Sequence, residues 1–199
     1  MNLINSITFI SYKEEFDMYF RPTMGGNILF TCASMYNDTL FKYFYEKGFE
    51  QNFGKHRSTI INKLGDSLLM HSIKLIINKV ARQQFISILE IIKILISNNA
   101  DINFINETTG ESILNLAIFC DKSIFYLIFD NVTNVNFIDK FGDSPLIIAI
   151  KNNRIIYITS LIKDYGASIE KIVKDTKLME LIEKKFFLNH NIFKLFKNM

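Results

Sequence analysis

The clearest pattern of polar and apolar positions runs from Asp139 to Ile169. Gly142, Asp143, Ser144 and Pro145 lead into the apolar run Leu146–Ile150. Ser144 suits an N-cap, where its hydroxyl can accept a backbone N–H of the first turn. Pro145 suits the next position, where its missing N–H has no helical partner to lose. Asn152 and Asn153 interrupt the run, and Ile155, Ile158, Leu161 and Ile162 then recur at helical spacing. Gly166 fits a left-handed position just past that second helix. The stretch therefore predicts helix, turn, helix and loop within about thirty residues.

The phrase recurs. GESILNLA begins at Gly110, with Ser112, Leu114 and Ala117 in matching places. GDSLLMHS begins at Gly65 with Ser67, Leu69 and Ser72, and GGNILFTC begins at Gly25 with Asn27, Leu29 and Cys32. Asn27 is a further N-cap residue, and Cys32 is small where Ala149 stands in the last unit. The helix ends recur as YEKGFEQNF (Tyr45–Phe53), ILISNNADINF (Ile94–Phe104), DNVTNVNF (Asp130–Phe137) and IKDYGASI (Ile162–Ile169).

DKFGDSPLIIAI with LIKDYGASI resembles the Asp-x-x-Gly-x-Thr-Pro-Leu-His-x-Ala…Leu-Leu-x-x-Gly-Ala pattern of ankyrin repeats, and NNADIN (Asn98–Asn103) resembles the family's repeat end. The interval from Gly110 to Gly142, 32 residues, is close to the family's ~33-residue period. The resemblance spans roughly residues 25–170 and implies an all-α solenoid of about four helix–turn–helix repeats with helical caps. Expected boundaries are a capping segment at 1–24, repeats near 25–64, 65–109, 110–141 and 142–169, and a helical cap at 170–199.

Two departures have structural consequences. Phe30, Met70, Asn115 and Ile147 stand where the family has histidine, so the turn bond that histidine makes is expected to be missing or supplied otherwise. About ten extra residues separate Gly65 from Ala100 relative to Gly142 and Ala167. The excess near Leu75–Gln84 is expected to lengthen the first helix or the inter-helix loop. The connection from Phe49 to Gly65, with Lys55, His56, Arg57 and Lys63, is also long and is expected on the finger side. Helices covering the two ends are expected at Ser11–Phe20 and at Glu170–Phe187, the latter continued by Phe193 and Phe196.

The resemblance also implies how the chain acts. Ankyrin arrays meet protein partners through their finger tips and their inner-helix face, not through a reaction. The tips fall at Asn106, Glu107, Thr108 and at Asp139, Lys140, Phe141. Inner-helix positions facing the concave side are Thr31, His71, Leu116 and Ile148, with Lys151 and Asn152 at a helix end. Phe141 is an aromatic at a turn tip, either a contact anchor or packed on the adjacent finger. The irregular spacing and the excess of Ile, Asn, Lys and Phe resemble ankyrin proteins of large DNA viruses and intracellular microbes. That implies a host signalling protein as partner and a cytoplasmic site, including host cytoplasm or nucleus.

Composition narrows the alternatives. Hydrophobic residues make up 49% and charged residues 22%, enough to build a core. A net charge of +3 is mild, so a nucleic-acid partner is not expected. Cys32 and Cys120 form no zinc spacing and read as reduced core residues. His56, His71 and His190 form no metal motif, there is no phosphate-binding glycine loop, and neither catalysis nor a cofactor is expected. The first residues lack the basic and apolar regions of a signal peptide, and no window reaches the ~18 apolar residues of a membrane span. Lys184–Met199, KKFFLNHNIFKLFKNM, is basic and aromatic, and its apolar side suits either a cap on the last repeat or contact with a membrane.

Overall fold

The computed structural model describes residues 28–46, 61–187 and 189–197. The cap expected at Ser11–Phe20, the first unit's Gly25 and Asn27, and Lys55, His56 and Arg57 lie outside them.

Eleven helices are present among the described residues: α1 (Ile28–Ser34), α2 (Asp38–Glu46), α3 (Leu68–Ile77), α4 (Arg82–Ser97), α5 (Ile113–Ala117), α6 (Lys122–Phe129), α7 (Pro145–Lys151), α8 (Ile155–Lys163), α9 (Glu170–Lys174), α10 (Thr176–Phe186) and α11 (His190–Lys197). No strand occurs among these residues. Extended pairing is limited to the single bridges Ile61–Ser67 and Ile105–Ser112 at the base of two hairpins.

Local chemistry sets the helix starts. The hydroxyl of Ser67 accepts the N–H of Met70, that of Ser112 the N–H of Asn115, and that of Ser144 the N–H of Ile147. Pro145 occupies the first turn of α7, and Asp121 and Asp175 cap α6 and α10. Three units turn between their helices through a left-handed residue, Tyr36, Lys79 or Asn153. Gly166 is left-handed after α8, as its position predicts, and Asn99 adopts the same conformation after α4.

The helices pair antiparallel and the pairs stand in a row. Inner helices touch in the order α1, α3, α5, α7, and outer helix α2 lies on α4. Each pair buries apolar residues against its neighbours, as α5 shows by burying all of Ile113–Ala117. Between α6 and α8 the contact is aromatic, with Phe125 stacked on Tyr157 at a centroid distance of 4.1 Å. The extra residues of the second unit enter mainly its outer helix. α4 has 16 residues against 9 in α8, whereas α3 has 10 against 7 in α7. The first helix is longer, as expected, but by three residues against seven in the outer helix, which the expectation did not include. The period of Phe85, Ile88, Ile91, Ile92 and Leu95 continues one buried stripe along α4, so added length lies in regular helix.

At the C-terminal end, α10 and α11 stand as a further pair. α11 packs on α8, and Ile182, Phe186, Ile192 and Phe196 are buried. Lys185 Nζ donates to the Lys151 carbonyl at the end of α7. Apolar side chains expected to cap the last repeat do so, while Phe187 stays exposed.

Candidate functional site

The hairpins share one construction. A short-chain amide or carboxylate begins each turn, and its Oδ1 accepts two backbone N–H groups of the same turn. Asn62 accepts from Leu64 and Asp66, Asn106 from Thr108 and Thr109, and Asp139 from Phe141 and Asp143, all at 2.8–3.0 Å. Gly65, Gly110 and Gly142 follow at φ of +79°, +80° and +82°, where a Cβ is strained.

The hairpins at residues 106–110 and 139–142 each close on the one before. A Cβ on Gly65 would lie 2.8 Å from Asn106 Oδ1 and 2.9 Å from Thr108 Oγ1. A Cβ on Gly110 would lie 3.2 Å from the edge of the Phe141 ring. Among the described residues, nothing approaches within 4 Å of a Cβ placed on Gly142.

Polar side chains bind the row together beneath the tips. Asn106 Nδ2 donates to the Leu64 carbonyl at 2.9 Å and to Asp66 Oδ1 at 2.6 Å. Lys74 Nζ lies 2.7 Å from the same carboxylate and 2.8 Å from Glu111 Oε2, so one ammonium joins two units. Burial by itself would raise the Glu111 carboxyl, but hydrogen bonds from Lys74 and Thr109 hold it below the usual range. Burial by itself would lower Lys74, and its two carboxylates outweigh that and raise it. Between the third and fourth units, Asn115 Nδ2 donates to Asp139 Oδ2 at 2.7 Å and to the Asp143 carbonyl at 3.2 Å. Asn115 stands in the family's histidine slot, and this is the substitute turn bond that the sequence left open.

Several expected contact residues are therefore internal. Asn106 has 0% exposure and Asp139 9%, and both hold the turn together. His71 is buried, its Nε2 3.0 Å from the Ser34 hydroxyl, and burial pushes its imidazole down toward the neutral form. Leu116 is buried, and Thr31 and Ile148 are half-buried. For Asn106, Asp139, His71 and Leu116 the cause is shared: a stacked neighbour covers positions that a lone unit would leave open.

Glu107, Thr108, Lys140, Phe141, Lys151 and Asn152 are exposed as expected. Lys140 Nζ lies 2.9 Å from Glu107 Oε2, and Lys151 Nζ 2.7 Å from Asp143 Oδ2. Phe141 rests one ring edge on Gly110, yet 70% of it is exposed. Sequence reasoning missed Leu64, which is 67% exposed and stands two residues past Asn62 as Phe141 does past Asp139. The signal was available in that shared offset. The residues just before these tip positions, Lys63, Glu107 and Lys140, alternate in sign along the row.

The cysteines offer no nucleophile. Burial pushes both the Cys32 and the Cys120 thiol up to about 12. Thiol reagents at pH 8 are expected to leave both unmodified in the native protein and to titrate both once it is unfolded, counted by mass spectrometry. Labelling of either in the native state would show it to be accessible. Among the described residues, no group of three His, Cys, Asp or Glu is placed to hold a metal ion. None of their helices is long and apolar enough to cross a membrane.

Residues 79–175 match the family model for ankyrin repeats, in three copies. A comparison with curated proteins finds no match to the chain. Ankyrin repeats are in general protein–protein interaction modules and typically not enzymes. Helical pairs standing in a row, glycine-centred hairpins that close one on the next, and that family match identify residues 79–175 as ankyrin repeats.

Proposed function

We propose that the chain binds a protein partner through its hairpin ends, with Phe141 and Leu64 as apolar anchors and Glu107, Thr108 and Lys140 as polar contacts. Lys151, Asn152 and Ile148 extend the surface toward the inner helices. The supporting observation is Phe141, an aromatic ring 70% exposed yet fixed in place. Its turn is bonded to Asp139, its edge lies on Gly110, and the neighbouring Lys140 is tied to Glu107. A preorganised aromatic contributes contact area with little ordering cost. The irregular repeat spacing and the Ile-, Asn-, Lys- and Phe-rich composition support a host signalling protein as that partner, met in host cytoplasm or nucleus.

The test is affinity capture from host-cell extract with the full chain, followed by binding measurements on the main protein recovered. Phe141→Ala with Lys140→Ala is expected to weaken that interaction by about 2 kcal/mol, roughly thirtyfold in Kd, with an unchanged circular dichroism spectrum. Retention at full strength would place binding on another face.

A further inference from the structure

The outer helices carry a charge pattern unlike that of the hairpins. α6, α8 and α11 read KSIFYLIF, IIYITSLIK and HNIFKLFK and contain no Asp or Glu. Two hollows open on this face and share Ile155. One, of about 300 Å³, is lined by Lys122, Arg154 and Ile156 among others. The larger, of about 730 Å³, lies between α8 and α11. Its α8 wall is the stripe Ile155, Thr159 and Lys163, and its α11 wall includes Ile192, Lys194 and Leu195. A stripe at i, i+4 and i+8 runs about two helical turns, ~12 Å.

The cations here differ from those of the hairpin side. Lys74, Lys140 and Lys151 each meet a carboxylate. Among the described residues, Lys122, Lys163 and Lys194 meet none. Arg154 donates to the Phe119 carbonyl at 3.3 Å. Asp121 and Asp164 are next to Lys122 and Lys163 in sequence but stand at helix ends, and Asp121 is engaged as the N-cap of α6. The result is a groove of mixed lining, with Ile155, Ile192 and Leu195 beside Thr159, Asn189 and Asn191, bordered by ammonium groups that meet no carboxylate among the described residues.

We infer that this groove binds an acidic amphipathic helix of a second protein. Its apolar side would lie on Ile155, Ile156 and Leu195, and its carboxylates would meet Lys122, Lys163 and Lys194. Charge complementarity selects this occupant. A neutral helix would cover the lysines without pairing them, and a basic one would be repelled. The groove's length suits helix-in-groove recognition, whose anchors recur every three or four residues. A concave channel suits a bilayer surface less well than a rod-shaped segment. The inference is independent of the hairpin surface, which lies on the other helix layer.

A display library of helical peptides about four turns long, selected on the full chain, tests this. Recovered sequences are expected to be rich in Asp and Glu, with apolar residues at helical spacing. The best of them, synthesised and titrated by fluorescence anisotropy, should lose about tenfold or more in affinity in Lys163→Glu with Lys194→Glu, and should weaken as salt is raised. Lys163→Gln with Lys194→Gln should move affinity the same way by less, and its melting curve guards against a folding defect. Phe141→Ala with Leu64→Ala should leave the affinity unchanged, which separates this groove from the hairpin reading. Recovery of no binders, recovery of peptides without acidic bias, or affinity indifferent to both lysine pairs would overturn the inference. So would failure to recover peptides while vesicles of phosphatidylcholine and phosphatidylserine pellet the chain in a Lys163- and Lys194-dependent way.

Discussion

Asn106→Ala is expected to lower the unfolding free energy of the full chain by roughly 3–5 kcal/mol, measured by urea denaturation followed by circular dichroism. The size follows from what one side chain satisfies. Asn106 donates to a carbonyl and a carboxylate of the preceding hairpin and accepts two N–H groups of its own. Its removal leaves Asp66, 1% exposed, with Lys74 as its side-chain partner, and strips two backbone donors at the turn. A buried carboxylate that loses part of its hydrogen bonding keeps its desolvation cost, which is why truncation costs more than a surface contact contributes. Asn106→Asp preserves volume but brings carboxylate against carboxylate, so it is expected to destabilise at neutral pH as well. A loss below about 1 kcal/mol for Asn106→Ala would show that the amide contributes no more than a surface bond.

Phe125→Ala is expected to cost a similar amount, roughly 3–5 kcal/mol, and to keep a single unfolding transition. Phe125 is fully buried between the outer helices of the third and fourth units. It stacks on Tyr157 at 4.1 Å with planes 4° apart, stacks on Phe129 at 4.6 Å, and meets Tyr126 and Tyr165 edge-on. Tyr157 is anchored by its hydroxyl, which donates to the Cys120 carbonyl at 2.9 Å. Neighbours held in this way cannot collapse into the space left by a truncated ring, so the cavity persists. Phe125→Leu should lose only part of the effect, since it keeps most of the volume and forfeits the ring stacking. A truncation that left the denaturation midpoint in place would mean that this column does not hold the two units together.

The sequence made the helices legible wherever a unit carries its signal locally. Ser67, Ser112 and Ser144 cap as expected because a cap needs only a residue and the N–H three places on. Gly65, Gly110, Gly142 and Gly166 take left-handed backbone for equally local reasons. The extension of α4 was misplaced because a continuing apolar period does not show which of two adjacent helices absorbs added length.

The site was less legible. Asn106 and Asp139 are polar, sit in turns, and read as exposed, but both are nearly sealed from solvent. What seals them is the adjoining hairpin, and the register between hairpins 45 residues apart (Gly65 to Gly110) or 32 apart (Gly110 to Gly142) is not written in either alone. A shared feature pointed to their role: Asn62, Asn106 and Asp139 each precede a glycine by three or four residues. The histidine slot teaches the same lesson. Asn115 reaches the next turn, while Met70 and Ile147 have no donor to offer it, and in those two units the pairs Asp66–Lys74 and Asp143–Lys151 tie turn to helix instead.

The unoccupied space beyond Gly142 gives the molecule a direction. C-terminal helices α10 and α11 seal the two helical layers, but the chain forms α9 where a successor hairpin would stand, so the loop layer ends one step early. Protection of backbone amides should therefore grade along the loops, strongest where a later loop lies on top and weakest at Lys140–Asp143. An engineered unit spliced in after Ile169 would find the loop face open but would have to take the place of α10 and α11 on the helical layers.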